Sequence, residues 1–266
     1  MRLWLSKSKL TSRYCLLALT FAALSLNAFS KPVNKIKAVS EVYPPYQKYD
    51  QQGNFTGCST EVVQAMFKVT KDQLELEVMP WPRTYATALN EANVMLFSVY
   101  RTKSREQLFH WVGRLTTTYN YFWGLKSNFP QPLKSLEQAK NFTVAVTKNY
   151  YSDIYLTKNN FSNLHRVTQQ EQSMNMLFHQ RVNLMVGDEK VIKELTNKLN
   201  YDFTKLTKVF NIAELNSELS VAFNLNSDPE TVKRYQDAFT IIENKGIVDK
   251  IMTQCKQSTL NLKSVQ

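Results

Sequence analysis

The feature that most constrains this chain is a beat repeated three times near its start. An apolar run ends abruptly in a stiff or polar loop, and a helix-like stretch follows. Ile36-Lys37-Ala38-Val39 runs into Glu41-Val42-Tyr43-Pro44-Pro45-Tyr46, and Leu74-Glu75-Leu76-Glu77-Val78 stops at Met79-Pro80-Trp81-Pro82-Arg83. The third run, Val94-Met95-Leu96-Phe97, breaks into Ser98, Tyr100, Arg101 and Arg105. The consecutive prolines Pro44 and Pro45 lack backbone donors and cannot continue a central strand, so the chain must leave the sheet there. Helices are predicted over Thr60–Val69, with Val62, Val63, Ala65, Met66 and Phe67 on a broad apolar face, and over Tyr85–Ala92. Strand, helix, strand, helix, strand is the order of a parallel sheet with crossover helices.

Small ligands bind beyond the carboxyl ends of strands in open α/β sheets. The three loops present Tyr43 and Tyr46, then Trp81 and Arg83, then Ser98, Tyr100 and Arg105, and their convergence predicts a ligand site. Arginine grips a carboxylate through two parallel hydrogen bonds, the role open to Arg101 or Arg105. The competing reading puts both arginines on a solvated helix start, paired with Glu106.

A second alternation follows. Thr116–Leu125 is aromatic and β-branched and reads as one strand, and Phe142–Val146 as another, ending at Asn149-Tyr150-Tyr151. A helix near Ser152–Lys158, a strand around Leu164–Val167 and a helix over Gln170–His179 come next. Leu184-Met185-Val186 reads as a strand closed by Gly187-Asp188, where Asp188 caps a helix over Glu189–Leu199 or holds an ammonium. Leu219–Phe223 returns as a strand, and Asp228-Pro229-Glu230 opens the last helix with a cap and a proline in its first turn.

The first thirty residues carry Arg2, Lys7, Lys9 and Arg13 without an acid, then the apolar run Cys15–Leu26, then Asn27-Ala28-Phe29-Ser30. That order is the order of a secretory signal peptide over residues 1–30, cut after Ser30 or after Ala28. An uncleaved anchor is the alternative, and the apolar run is short for one. Removing its four basic residues leaves 29 lysines and arginines against 22 acids. This surplus suits anionic partners or envelope surfaces and equally a solvated lysine coat. Cys58 and Cys255 remain. In an exported chain such a pair invites a disulfide, two free buried thiols being the alternative. No CxxC pair, His cluster or carboxylate cluster has metal-ligand spacing, so no metal and no cofactor are expected. His110, His165 and His179 lie near no plausible nucleophile and no Gly-x-Ser-x-Gly occurs, so an enzyme is not expected. Nucleic-acid binding is not expected either, since no basic stripe with interleaved aromatics appears.

Together these motifs carry a resemblance. The leader, the Tyr43-Pro44-Pro45-Tyr46 loop, Gly57 before the first helix, Met79–Arg83, and above all Thr102-Lys103-Ser104-Arg105-Glu106 with Trp111-Val112-Gly113 resemble the extracellular solute-binding proteins of family 3. These are periplasmic receptors of polar amino acid ABC importers and their orphan relatives. The likeness spans Lys35–Cys255. It implies a periplasmic-binding-protein type II fold: two α/β lobes joined by two crossing strands, with the ligand in the cleft. Lobe 1 would be residues 31–120 plus 219–266 and lobe 2 residues 121–218, with crossings near Tyr119–Gly124 and Glu218–Asn224. Cys58 and Cys255 then share lobe 1, which agrees with a disulfide.

The resemblance also implies roles. Arg105 matches the carboxylate-binding arginine, Asp188 the second-lobe acid that holds the α-ammonium, and Tyr43 the aromatic of the first loop. Ser98 and Tyr100 match ligand-touching positions, and Trp81 falls near the residue that packs on the ligand. Asn149-Tyr150-Tyr151 stands where the family has a glycine and small hydroxyls, and Asn90–Val94 lacks the usual Gly and Asp. Both departures imply an altered ligand. The expected function is capture of an amino acid or related zwitterion or carboxylate by lobe closure, in the periplasm and as a monomer, for an ABC permease. A membrane sensor as partner, or a dehydratase-like enzyme on the same fold, is the alternative.

Overall fold

The computed structural model describes residues 34–261, so the leader assigned to residues 1–30 lies outside the described residues. The first beat of the sequence becomes β1 (Lys35–Ser40), the short hairpin of β2 (Lys48–Tyr49) and β3 (Phe55–Thr56), α1 (Cys58–Thr70) and β4 (Gln73–Val78). Then come α2 (Trp81–Asn90) and β5 (Val94–Arg101). β1 lies between β4 and β5 and is parallel to both, with Ala38 opposite Leu76 on one side and Met95 on the other. The helices α1 and α2 are the crossovers. α1 buries Val62, Val63, Met66 and Phe67 of the face its periodicity predicts and leaves Ala65 half-buried.

Two boundaries differ from expectation here. α2 starts four residues early, at Trp81, because Pro82 falls in the first turn, where a missing N–H costs no hydrogen bond. β5 runs on past Phe97 to Arg101. Ser98 sits inside it at φ 58, and the pairing of this strand with its antiparallel neighbour shifts register there. A left-handed residue in a strand is a bulge, which alternation alone does not reveal.

Thr116–Leu125, read as one strand, is two. β6 (Phe109–Thr118) belongs to the first sheet and β7 (Asn120–Leu125) to the second, and the chain passes between them at Tyr119. After α3 (Leu136–Ala139) the second half is built from β8 (Val144–Thr147), α4 (Tyr151–Lys158), β9 (Leu164–Val167), α5 (Gln170–Phe178), β10 (Leu184–Asp188), α6 (Glu189–Lys198) and β11 (Leu206–Asn211). Its sheet has the order β11-β7-β10-β8-β9.

The chain returns to the first sheet between Asn211 and Ser217, earlier than the expected crossing at Glu218–Asn224. Those later residues belong to β12 (Ser217–Asn224), which pairs with β5 and β6 along its length and completes the order β4-β1-β5-β12-β6. α7 (Pro229–Asn244) is capped by Asp228, whose side chain accepts from Thr231 N–H. Gly246, at φ 67, separates it from α8 (Ile247–Asn261). Cys58, at the start of α1, is disulfide-bonded to Cys255 in α8, a link across 197 positions. The two sheets therefore place the carboxyl ends of β1, β4 and β5 opposite the ends of β8 and β10.

Candidate ligand site between the two sheets

The first-sheet side of the site is held by a buried hydroxyl–amide chain. Ser98 Oγ donates to Gln47 Oε1 at 2.8 Å, Gln47 Nε2 donates to Ser40 Oγ at 2.8 Å, and Ser40 Oγ donates to the Phe97 carbonyl at 3.2 Å. The Ser98 hydroxyl thus fixes the proline loop onto β1 and β5. The loop closes on itself through Tyr43 N–H to Gln47 O at 2.9 Å and Tyr46 N–H to Tyr43 O at 3.0 Å. That fixed turn stacks the Tyr43 and Tyr46 rings at 5.6 Å.

Between the sheets the tyrosines meet. The Tyr43 and Tyr100 hydroxyls share a hydrogen bond of 2.9 Å, and the Tyr100 ring lies 6.3 Å from that of Tyr151. The Tyr46 hydroxyl donates to Asp188 Oδ1 at 3.3 Å. Asp188 also caps α6 through Lys190 N–H at 3.0 Å and accepts from Tyr119 N–H at 3.4 Å. Burial raises its pKa, against the pull of the Lys190 charge and these hydrogen bonds. Tyr150, directly before α4, reaches across to donate its hydroxyl to Glu41 Oε2 and meets Trp81 edge-on at 6.2 Å. What remains open among Tyr43, Tyr100, Tyr150 and Tyr151 is a cavity of about 20 Å³, room for a single water.

The two arginines part company. Arg101 pairs with Glu106 through Nε at 2.9 Å and Nη2 at 2.5 Å, on the surface. Arg105 is 5 % exposed and has no carboxylate within 4 Å among the described residues. Its guanidinium lies over the Trp81 ring at 5.2 Å and the Tyr85 ring at 4.9 Å, and Nη1 donates to the Tyr100 carbonyl at 3.3 Å. Burial lowers its pKa from the ordinary arginine range, offset in part by Tyr85, Tyr151 and Tyr100. It remains a cation at neutral pH, and it is attracted to the two aromatic faces.

Of the residues named from sequence, Tyr43, Tyr46, Trp81, Tyr100, Arg105, Tyr150 and Asp188 gather at this junction. Arg83 does not: it is exposed on α2, because Trp81 takes the inward face of that first turn. Asn149 is exposed at φ 64, its N–H bonded to Asp153 at 2.9 Å, so it shapes the turn without entering the cluster. Glu41, Gln47, Tyr85 and Tyr151 were not named as site residues. Glu41 had a signal, an acid directly before the proline loop. Burial pushes its pKa up to about 8, while the Tyr150 bond and the Arg105 charge pull it down.

Two α/β halves with a junction of buried charge and aromatic rings at the carboxyl ends of facing sheets have the architecture of type II periplasmic binding proteins. The chain belongs to the bacterial extracellular solute-binding proteins, family 3, which it matches over residues 36–255. No curated relative matches it. Among solved structures it is similar to a histidine kinase sensor domain with similarity to periplasmic binding proteins, with a TM-score of 0.74 and 17% identity, covering 83% of this chain and 95% of that one. It is also similar to the P235GK mutant of ArgBP from T. maritima, with a TM-score of 0.73 and 15% identity, covering 85% and 96%. The amino acid ABC transporter substrate-binding protein AbpA from Streptococcus pneumoniae, bound to L-arginine, gives a TM-score of 0.72 at 17% identity, covering 85% and 96%.

Proposed function

We propose that this protein is an exported receptor that closes its two halves on a small polar solute, an amino acid or a related zwitterion or carboxylate, and presents the closed form to an ABC importer. The observation that carries this reading is Arg105, a buried guanidinium with no carboxylate of its own within 4 Å among the described residues. A buried charge without a counter-charge is costly, and an incoming carboxylate supplies one. Asp188 stands on the other sheet as the ammonium's acceptor, and the Tyr46 hydroxyl now at Oδ1 gives way to it. A ligand bridging Arg105 and Asp188 has contacts that exist only when the halves are together, so it shifts the hinge equilibrium toward closure.

The histidine kinase sensor domain among the similar structures favours a second reading, in which the closed form is read by a membrane sensor instead of a permease. Permease and ATPase genes beside this one would point to import. A thermal-shift screen of the mature protein against amino acids, dicarboxylates and short peptides tests the ligand class, because a ligand of the folded state raises the melting temperature by mass action. An amino acid is expected to shift the wild type and to lose at least tenfold in affinity in Arg105→Ala. A panel in which no amino acid or carboxylate acts, or a hit that Arg105→Ala binds equally well, overturns the reading.

A further inference from the structure

Beside the tyrosine junction, between the same two halves, runs a groove of about 620 Å³, a size usual for small-molecule sites. Val78, Met79, Pro80 and Trp81 form an apolar wall on the first-sheet side, and Tyr150 and the segment 168–171 face it from the other. Two carboxylates line it. Glu171 is neutralised by Lys198 at 2.8 Å, and Lys198 is the single basic residue in the lining. Glu41 has no cation within 4 Å among the described residues, and it accepts from the Tyr150 hydroxyl. Neither Arg105 nor Asp188 lines this groove.

We infer that the groove binds an organic amine, a primary ammonium on an apolar body without a carboxylate, with the ammonium on Glu41 and the body along Trp81, Met79 and Pro80. The chemistry selects this class. An ammonium gains an ion pair at Glu41 and the faces of Trp81 and Tyr150 beside it. A ligand carboxylate would meet Glu41 and find no cation free of a partner. The groups facing Glu41 are the Tyr150 hydroxyl and, at longer range, the Arg105 charge, neither of which occupies the place of an ammonium in the groove. Binding also has a proton signature. With a pKa of about 8, most Glu41 is protonated at pH 7, and the ammonium favours its ionised form. The inference does not rest on the amino acid reading above, since that reading uses Arg105 and Asp188 and the groove uses neither.

The test is calorimetry with tryptamine at pH 7, in two buffers of different ionisation enthalpy, against 3-indolepropionate and L-tryptophan. The expected result is saturable tryptamine binding with release of close to one proton, no heat from 3-indolepropionate, and at least tenfold weaker binding of L-tryptophan. Glu41→Gln is expected to abolish the proton release and lose at least tenfold in tryptamine affinity, with its unfolding profile recorded to show that it folds. Tyr150→Phe is expected to keep tryptamine binding. Absence of tryptamine binding, equal binding of 3-indolepropionate, or unchanged affinity in folded Glu41→Gln overturns the inference. If tryptamine fails while an amino acid titrates, the amine groove is wrong and the receptor reading stands. If tryptamine binds and amino acids and carboxylates do not, the receptor's proposed ligand class is wrong and the groove stands.

Discussion

At the scale of single residues the junction is governed by which side chain reaches a charge first. Asp188 takes three donors, and two of them, Lys190 N–H and Tyr119 N–H, are backbone groups that no side-chain change removes. The third, the Tyr46 hydroxyl, occupies an oxygen that an ammonium would use. Tyr46→Phe therefore separates stability from binding. It is expected to lower stability by about 1 kcal/mol in urea denaturation, a typical net value for one hydrogen bond. It is also expected to raise the affinity for any α-amino acid found in the screen, because Asp188 no longer has to release a partner; lowered affinity by calorimetry would show that Tyr46 is part of the ligand's contact surface instead. The sequence placed Arg105 and Asp188 at the junction through motif position. It could not say that Arg101 would satisfy Glu106 and leave Arg105 among rings, because that choice depends on Trp81 and Tyr85 arriving from another element. Nor could it say that Ser98 turns to Gln47, since the left-handed backbone that aims its hydroxyl is a property of the bulge.

At the scale of elements, the first sheet is tied to its last helices by one close approach. Gly113, on β6, lies under α7, where an added Cβ would fall 2.2 Å from Cδ1 of Phe239. Phe239 is buried and cannot swing away without opening the core beneath α7. Gly113→Ala is expected to cost about 1–3 kcal/mol by overpacking. Adding Phe239→Leu is expected to recover part of that, so the double-mutant cycle gives a coupling of at least about 0.5 kcal/mol. Additive losses in urea denaturation would mean the strand and helix relax independently. The Gly in Trp111-Val112-Gly113, visible from sequence only as part of a resemblance, thus has a steric reason. Element existence was largely legible where apolar periodicity was unbroken, as in α1, β1 and β4. It failed at β11, which was not read as a strand: a register shift between Lys208 and Phe210 breaks the alternation that would have marked it. It failed also at Thr116–Leu125, because the residues of β6 and β7 share one composition and only their sheet partners divide them at Tyr119.

At the scale of the whole molecule, the disulfide and the inter-sheet contacts do different things. Cys58–Cys255 joins α1 to α8 within the half built on the first sheet, so it limits the unfolded chain without fixing the hinge. The halves are held together by the Tyr46–Asp188 bond, by the Lys48–Glu194 ion pair and by Tyr150 donating to Glu41. Of these the last carries the larger pH dependence, and Asp188, whose pKa burial also raises, acts in the same direction. Closure desolvates Glu41 and holds its pKa at about 8, whereas a separated, hydrated Glu41 returns toward 4.5. Between those values the closed form binds more protons than the open one. By linkage its advantage is full at acid pH and declines as pH rises to about 8. The other groups facing Glu41 do not reverse the sign: Tyr150 is held neutral well above its usual range and Arg105 stays charged. In the absence of ligand, the radius of gyration from small-angle scattering is expected to grow between pH 6 and pH 9 in the wild type and to stay flat in Glu41→Gln. Equal growth in both proteins would assign the opening to another group, with Asp188, whose pKa burial also raises, the next to replace.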